Sequence, residues 1–184
     1  MIASGDESGC VYVWDVREHT LLFTIYAHPR GLSAMAWCPT TIHKSKSDLD
    51  DSRDVYLQLA TAAPDDSSIA LLHISITSIP AKDETNSSGT RKDNTQIKRI
   101  DSAYNKVLSL HTKAVRCLEY CSYANLTLLA SGSEDSTIRI WNTADGSMLW
   151  ALLDHHDCIH SLSWSSDGLR LASGSGNDSC LRIQ

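Results

Sequence analysis

Three stretches of this chain line up with one another: IASGDESGCVYVWD from Ile2, LASGSEDSTIRIWN from Leu129 and LASGSGNDSCLRIQ from Leu171. A weaker fourth, LATAAPDDSSIALLH, starts at Leu59. A repeat constrains a fold strongly, because one local structure must serve every copy and each copy must bury its apolar face against the next. Each stretch reads as a short strand, a polar turn and an alternating strand. Val11 and Val13, Ile138 and Ile140, and Leu181 and Ile183 fall two residues apart, so each pair points to one face of a strand. No convincing amphipathic helix competes with this pattern. A second element recurs around His28, His111 and His155. Four residues after each histidine come Leu32, Val115 and Ile159; seven after come Met35, Leu118 and Leu162; nine after come Trp37, Tyr120 and Trp164.

The two elements keep a fixed distance. Trp14 to His28 and Trp141 to His155 are both 14 residues, and His111 to His155 is 44. With VWD at Val13 to Asp15, IWN at Ile140 to Asn142 and turn aspartates at Asp66, Asp135 and Asp178, the chain resembles the WD-repeat family of β-propellers. The glycine usual before the histidine is replaced by Ala27, Leu110 and Asp154, and the tryptophan position holds Leu72 in one unit and Gln184 in the last. The resemblance implies an all-β fold of four-stranded antiparallel sheets, the blades of a propeller, in an incomplete or open ring. On this reading 1–26 end a first blade, 27–110 form a second, 111–153 a third and 154–184 an incomplete fourth. The second blade carries insertions near 40–54 and 77–103, with 14 and 25 residues beyond the regular spacing. The second insertion is polar and nearly free of aromatics, so it reads as a mobile, solvated loop in which protease should cut first near Arg91 and Lys92.

Without the insertions the chain holds about 3.4 repeats, fewer than the four to eight blades of a closed propeller. The first unit lacks its innermost strand and loop histidine. Open outer faces are therefore expected to expose Val11, Val13, Leu181 and Ile183 and to make the isolated chain aggregate or self-associate.

The resemblance also implies a hydrogen-bonded series within each blade, from turn Asp to loop His to a strand Ser or Thr to Trp. Carried over by position, one series is Asp135, His111, Ser131 and Trp141. A second is Asp178, His155 and Ser173, and a third is Asp66, His28 and Thr61. In the first unit Ser4 and Trp14 match, but Ser8 stands where the Asp belongs. The chemistry suits burial, since carboxylate accepts, neutral imidazole donates and accepts, hydroxyl does both and indole donates. These histidines and aspartates are read as structural rather than catalytic.

Little else in the sequence points to chemistry. The net charge of −6 argues against a generally basic nucleic-acid binder. No apolar run reaches the length of a membrane-spanning helix, and MIASGDESGC has no signal-peptide pattern. Six cysteines lack any CxxC pair, and Cys117 and Cys121 are too far apart along a strand for a disulfide. His155, His156, Cys158 and His160 look like metal ligands, but alternation keeps them from converging. The glycines of Ser173 to Gly176 lack the helix and lysine of a phosphate loop, and Asp48, Asp50, Asp51 and Asp54 lack a calcium loop's spacing. No cofactor and no metal are expected.

The favoured function is a non-catalytic scaffold that binds protein or peptide partners in a multiprotein complex, inside the cell in cytoplasm or nucleus. The resemblance places partner contacts on the channel rim, at Ser33, Arg116 and His160, at Gly31, Ala114 and Cys158, and at Asp65, Glu134 and Asn177. The alternatives are a hydrolase-type propeller enzyme, which needs convergent carboxylates or a nucleophile with its base, and an RNA-associated member of a ribonucleoprotein complex. The latter has only Arg91, Lys92, Lys98 and Arg99 as a basic cluster.

Overall fold

Short alternating runs punctuated by Gly, Asp and Ser turns favour strands over helices, and strands are what form. The computed structural model describes residues 1–39, 42–47, 50–79, 96–123, 127–176 and 181–183. Among them lie fifteen strands and no helix. Strands β1 (Ile2–Gly5), β2 (Cys10–Asp15) and β3 (Thr20–Tyr26) form a first antiparallel sheet. The second has β4 (Ala34–Trp37), β6 (Asp50–Ala62), β7 (Ser68–Ile79) and β8 (Gln96–Ser109) side by side, with β5 (Ile42–Ser47) also paired to β6. The third is the four-stranded run β9 (Val115–Tyr120), β10 (Leu128–Ser133), β11 (Ile138–Asn142) and β12 (Ser147–Leu152). The fourth holds β13 (Ile159–Trp164), β14 (Leu171–Ser175) and β15 (Leu181–Ile183). The leading strands touch in series, β4 on β9 and β9 on β13, so the sheets stand like blades with these strands at one edge.

Period-two alternation decides which face each residue meets. Ile138 and Ile140 pack towards the fourth sheet with Ile159 and Leu171. Their neighbour Trp141 points the other way, into a cluster with Ile69, Leu71 and Leu108 of the second sheet. The first and second sheets meet through Val11, Val13, Leu59, Leu72, Ile74 and Ile76. Full burial of each such aliphatic side chain is worth about 1.5–3 kcal/mol, so these seams hold the blades together.

Two expectations are overturned here. Val11 and Val13 are fully buried, not exposed, because their face lies under the second sheet's Leu72, Ile74 and Ile76. The apolar residues of the first sheet that do reach solvent include Ile2, Leu21 and Tyr26. Leu181 and Ile183 have no described side chains.

The insertions are also not simply loops. Residues 42–47 pair with 50–56 as a hairpin, in register from Ile42↔Tyr56 to Ser47↔Asp50. Strands β6 and β7 then run together from Arg53↔Ser78 to Ala62↔Ile69, and β7 and β8 from Ile79↔Gln96 to Ser68↔Ser109. Much of each insertion therefore lengthens strands of the second sheet beyond the six or so residues of its neighbours. Polar residues on a strand with a solvated face read like a loop when alternation is the only cue. The stretch around Arg91 and Lys92 lies outside the described residues.

Candidate functional site

The third sheet carries a complete series of polar side chains. The turn between β10 and β11 puts Asp135 beside the segment that leads into β9. Its Oδ2 accepts from His111 Nδ1 at 2.9 Å and from the Thr112 backbone N–H at 2.9 Å. Its Oδ1 accepts from the Thr137 hydroxyl at 2.6 Å and the Thr137 N–H at 3.0 Å. Across the ring, His111 Nε2 meets Ser131 Oγ at 2.8 Å, and Trp141 Nε1 donates to the same oxygen at 2.8 Å. The carboxylate only accepts, so His111 carries a proton on Nδ1; burial favours the neutral ring, in which Nε2 accepts from the Ser131 hydroxyl while the indole donates to the Ser131 oxygen. His111, Ser131 and Trp141 are all buried, and every member has its partner.

The other units depart from this set. In the fourth sheet His155 Nε2 meets Ser173 Oγ at 2.8 Å, while Asp178 and Gln184 lie outside the described residues. In the second sheet His28 Nε2 meets Thr61 Oγ1 at 3.0 Å. Asp66, however, is not hydrogen-bonded to His28. Both of its oxygens are taken by Ser68, through the N–H at 2.9 Å and the hydroxyl at 2.8 Å, and it acts on His28 through charge alone. In the first sheet Trp14 Nε1 donates to Ser4 Oγ at 3.0 Å, on the surface. There the turn acid is Asp6, two residues before Ser8. It accepts from the Ser8 N–H, the Ser8 hydroxyl, the Cys10 N–H and the Tyr12 hydroxyl. Asp6 aligns with Ser133, whose hydroxyl likewise accepts from the amide two residues on, that of Asp135, at 3.1 Å. The acid has moved within the turn, which comparison at the Asp135 position alone cannot find. Gly9 in this turn has φ +83°, and a side chain there would run into the His28 carbonyl.

These surroundings set the charges. Burial holds the His28 and His111 imidazoles below their ordinary value of 6.5. Burial pulls the Asp135 carboxyl up, but hydrogen bonds from Thr137, Thr112 and His111 outweigh it and hold the group at about 2. A histidine with a depressed folded pKa contributes stability that is complete above 6.5 and fades as the pH falls below it. Asp135 adds stability above 3.8 that is lost as the pH falls towards 2. The melting temperature is therefore expected to hold between about pH 7 and 8 and to decline on acidification below about 6.5. A flat profile down to pH 5 would contradict the buried neutral rings.

The rim positions form pairs rather than free donors. Arg116 Nε donates to Glu134 Oε1 at 2.8 Å, and its Nη2 reaches the same oxygen. Arg30 Nη1 pairs with Asp65 at 3.1 Å, with both side chains largely exposed. Ser33, half-buried, donates through Oγ to the Val115 carbonyl at 2.7 Å, which ties the residue before β4 to β9. His160 is exposed beside Cys158, and Gly31 and Ala114 offer only small surfaces. Asn177 lies outside the described residues. Among the described residues no three His, Cys, Asp or Glu side chains group as metal ligands. Burial pushes the Cys117 thiol up to about 12, which makes it inert.

One polar junction carries no sequence signal. Gln58 on β6 accepts through Oε1 from Tyr120 at 2.9 Å and Thr143 at 3.0 Å, and its Nε2 lies 2.7 Å from His73 Nε2. It joins the second and third sheets at a cleft of about 170 Å³ lined by Cys38, Tyr56, Leu57 and Thr127 as well.

Comparison with known proteins agrees with this architecture. The family model for the WD domain, G-beta repeat, matches residues 103–142 and 146–183. Methylosome protein WDR77 of Xenopus laevis is 30% identical over 169 residues, 88% of this chain and 50% of that protein. Coronin-7 of Rattus norvegicus is 40% identical over 76 residues, 41% of this chain and 8% of that protein. A chain in the crystal structure of the Mitotic Checkpoint Complex shares its fold, with 18% identity and a TM-score of 0.62 over 95% of this chain and 40% of its own. The chain thus spans half or less of each of these relatives. With tandem repeat matches, four successive antiparallel sheets and this shared fold, the chain is a member of the WD-repeat β-propeller family and forms part of a propeller.

Proposed function

We propose that this chain is a non-catalytic scaffold segment that binds protein or peptide partners through its loop faces, as part of an intracellular multiprotein complex. One observation carries the reading. In the one series complete among the described residues, the acid Asp135 and the histidine His111 are engaged inside the blade by each other, by the Ser131 hydroxyl and by the Thr112 amide, and Trp141 closes the series on Ser131. What the rim offers instead is charge held in place, the Arg116–Glu134 and Arg30–Asp65 pairs, on a frame of packed sheets. That arrangement suits recognition of a charged partner surface. The match to a methylosome protein and the shared fold with a chain of the checkpoint complex support a role within assemblies.

The test compares the chain with a variant carrying Arg116→Ala and Glu134→Ala. Affinity capture followed by cross-linking mass spectrometry is expected to map partners onto this rim and to lose them in the variant, while the melting temperature stays unchanged. Capture that ignores rim substitutions would count against the proposal. So would turnover of a small substrate that depends on a rim carboxylate. Strongly salt-dependent RNA capture would favour an RNA-associated role instead.

A further inference from the structure

The cleft between the second and third sheets is not a feature of the repeat. β6 begins at Asp50, while β10 begins at Leu128, the counterpart of Gln58. Tyr56 and Leu57 therefore stand on the lengthened part of β6, and they line the cleft from the second sheet. Thr127, Thr143 and Ala144 line it from beside β10 and β11. Thr127 precedes β10 and Glu134 follows it, so the cleft and the charged rim lie at opposite ends of that strand.

Size and chemistry limit the occupant. A volume of about 170 Å³ is close to the roughly 150 Å³ cavity that takes benzene, and well below the roughly 300–1,000 Å³ of sites for larger ligands. One six-membered ring fits. Among the described residues that line the cleft there is no Asp, Glu, Lys or Arg. Burial and the Lys106 charge hold His73 below its ordinary 6.5, and the Lys106 ammonium is itself held by the Ala144 carbonyl. A neutral lining favours a neutral occupant.

The polar groups at the cleft are only partly used. Gln58 Oε1 takes the Tyr120 and Thr143 hydroxyls, and one N–H of its amide meets His73 Nε2, which leaves the second N–H as a donor. The Thr127 hydroxyl donates to Asn142 Oδ1 at 3.1 Å and keeps lone pairs for a further donor. The Thr143 hydroxyl stands 3.0 Å from both Gln58 Oε1 and the Thr127 carbonyl, which brings these two residues to one spot. A donor and an acceptor beside a ring-sized space match a ring that carries one hydroxyl.

We infer that this cleft receives the phenol ring of a tyrosine from a partner chain, whose hydroxyl accepts from the Gln58 amide and donates to the Thr127 hydroxyl. The volume holds the ring and no backbone, so the rest of the partner segment stays outside. Tyrosine suits such a place, with an apolar body to bury and a polar tip to pair. The inference rests on the reading that the chain binds protein partners, but it uses none of the rim pairs.

The probe is the capped tripeptide Gly-Tyr-Gly, titrated into the full chain with nitrogen-labelled glutamine. The Gln58 side-chain amide is assigned by its loss in Gln58→Leu. The peptide is expected to move this resonance with a Kd of about 1 mM. Gly-Phe-Gly, without the hydroxyl, is expected to bind about tenfold more weakly. Thr127→Val should bring the tyrosine peptide down to the level of the phenylalanine peptide and leave the latter unchanged, which a general loosening of the fold would not do. Ala144 is exposed, so Ala144→Trp should fill the cleft and abolish binding at an unaltered melting temperature. The inference is overturned if the tyrosine peptide leaves Gln58 unmoved at about 10 mM, well above the expected Kd, or if the two peptides bind alike. Binding of free p-cresol without binding of the tripeptide would assign the cleft to a small phenol and overturns it too. The paired Arg116→Ala and Glu134→Ala variant should still bind the tripeptide, so a failure at the rim and a failure at the cleft are told apart.

Discussion

Trp141→Ala is expected to lower stability by about 3–5 kcal/mol, the range for truncating a large aromatic in a packed core. The indole is 1% exposed, lies between the second and third sheets with Leu71, Leu108 and Leu129, and holds the Ser131 hydroxyl. Trp141→Phe keeps most of the packing and strands one acceptor, so about 1–2 kcal/mol is expected. Trp14 makes the same bond to Ser4 but is 37% exposed, and among the described residues no sheet covers it. Trp14→Ala should therefore cost far less. Denaturant midpoints at constant slope measure all three. Equal losses at the two tryptophans would show that burial is not what separates them.

Asp135→Ala is expected to cost about 2–3 kcal/mol, since a nearly buried carboxylate is removed from the buried His111 ring and from three further donors at the turn. Four donors lose it: His111, the Thr112 amide, and the amide and hydroxyl of Thr137. Asp135→Asn keeps one acceptor oxygen for Thr137 and should recover roughly half of that loss. At the matching position of the first sheet, Ser8→Ala should stay within about 0.5 kcal/mol, because Ser8 is exposed and merely donates to Asp6. A large effect at Ser8 with a small one at Asp135 would sink this account of the turn.

The difference between Asp135 and Asp66 shows what a repeat makes legible. Ser131, His111 and Trp141 come together because their spacing is a property of the blade, so matching one copy to another names them. The reach of Asp66 depends on a single neighbour. Ser68, standing where the third sheet has Thr137, donates to both carboxylate oxygens, and neither oxygen bonds to His28. Asp6 was hidden for a similar reason, since it does the work of an acid from a position where the pattern holds serine. Gln58 lies 62 residues from Tyr120 and 85 from Thr143 and repeats nowhere, so no period announces it. The lengthened strands escaped because their inserted residues are mostly polar and show no apolar stripe in the sequence, although Ile74 and Ile76 on β7 did carry one into the seam.

Strand β7 pairs with β8 up to Ile79↔Gln96, well past the end of the neighbouring blades. Side chains alternate with a period of two, so lengthening a hairpin at its tip leaves every earlier residue on its original face, whereas one extra residue near its base would turn the whole strand over. Growth at the tip is thus invisible to Leu59, Leu72 and the seam below them. For protein engineering this makes the span between Ile79 and Gln96 a natural splice point: a foreign epitope or a fluorescent reporter inserted there inherits a paired stem and leaves the interlocked blades unaware of its length.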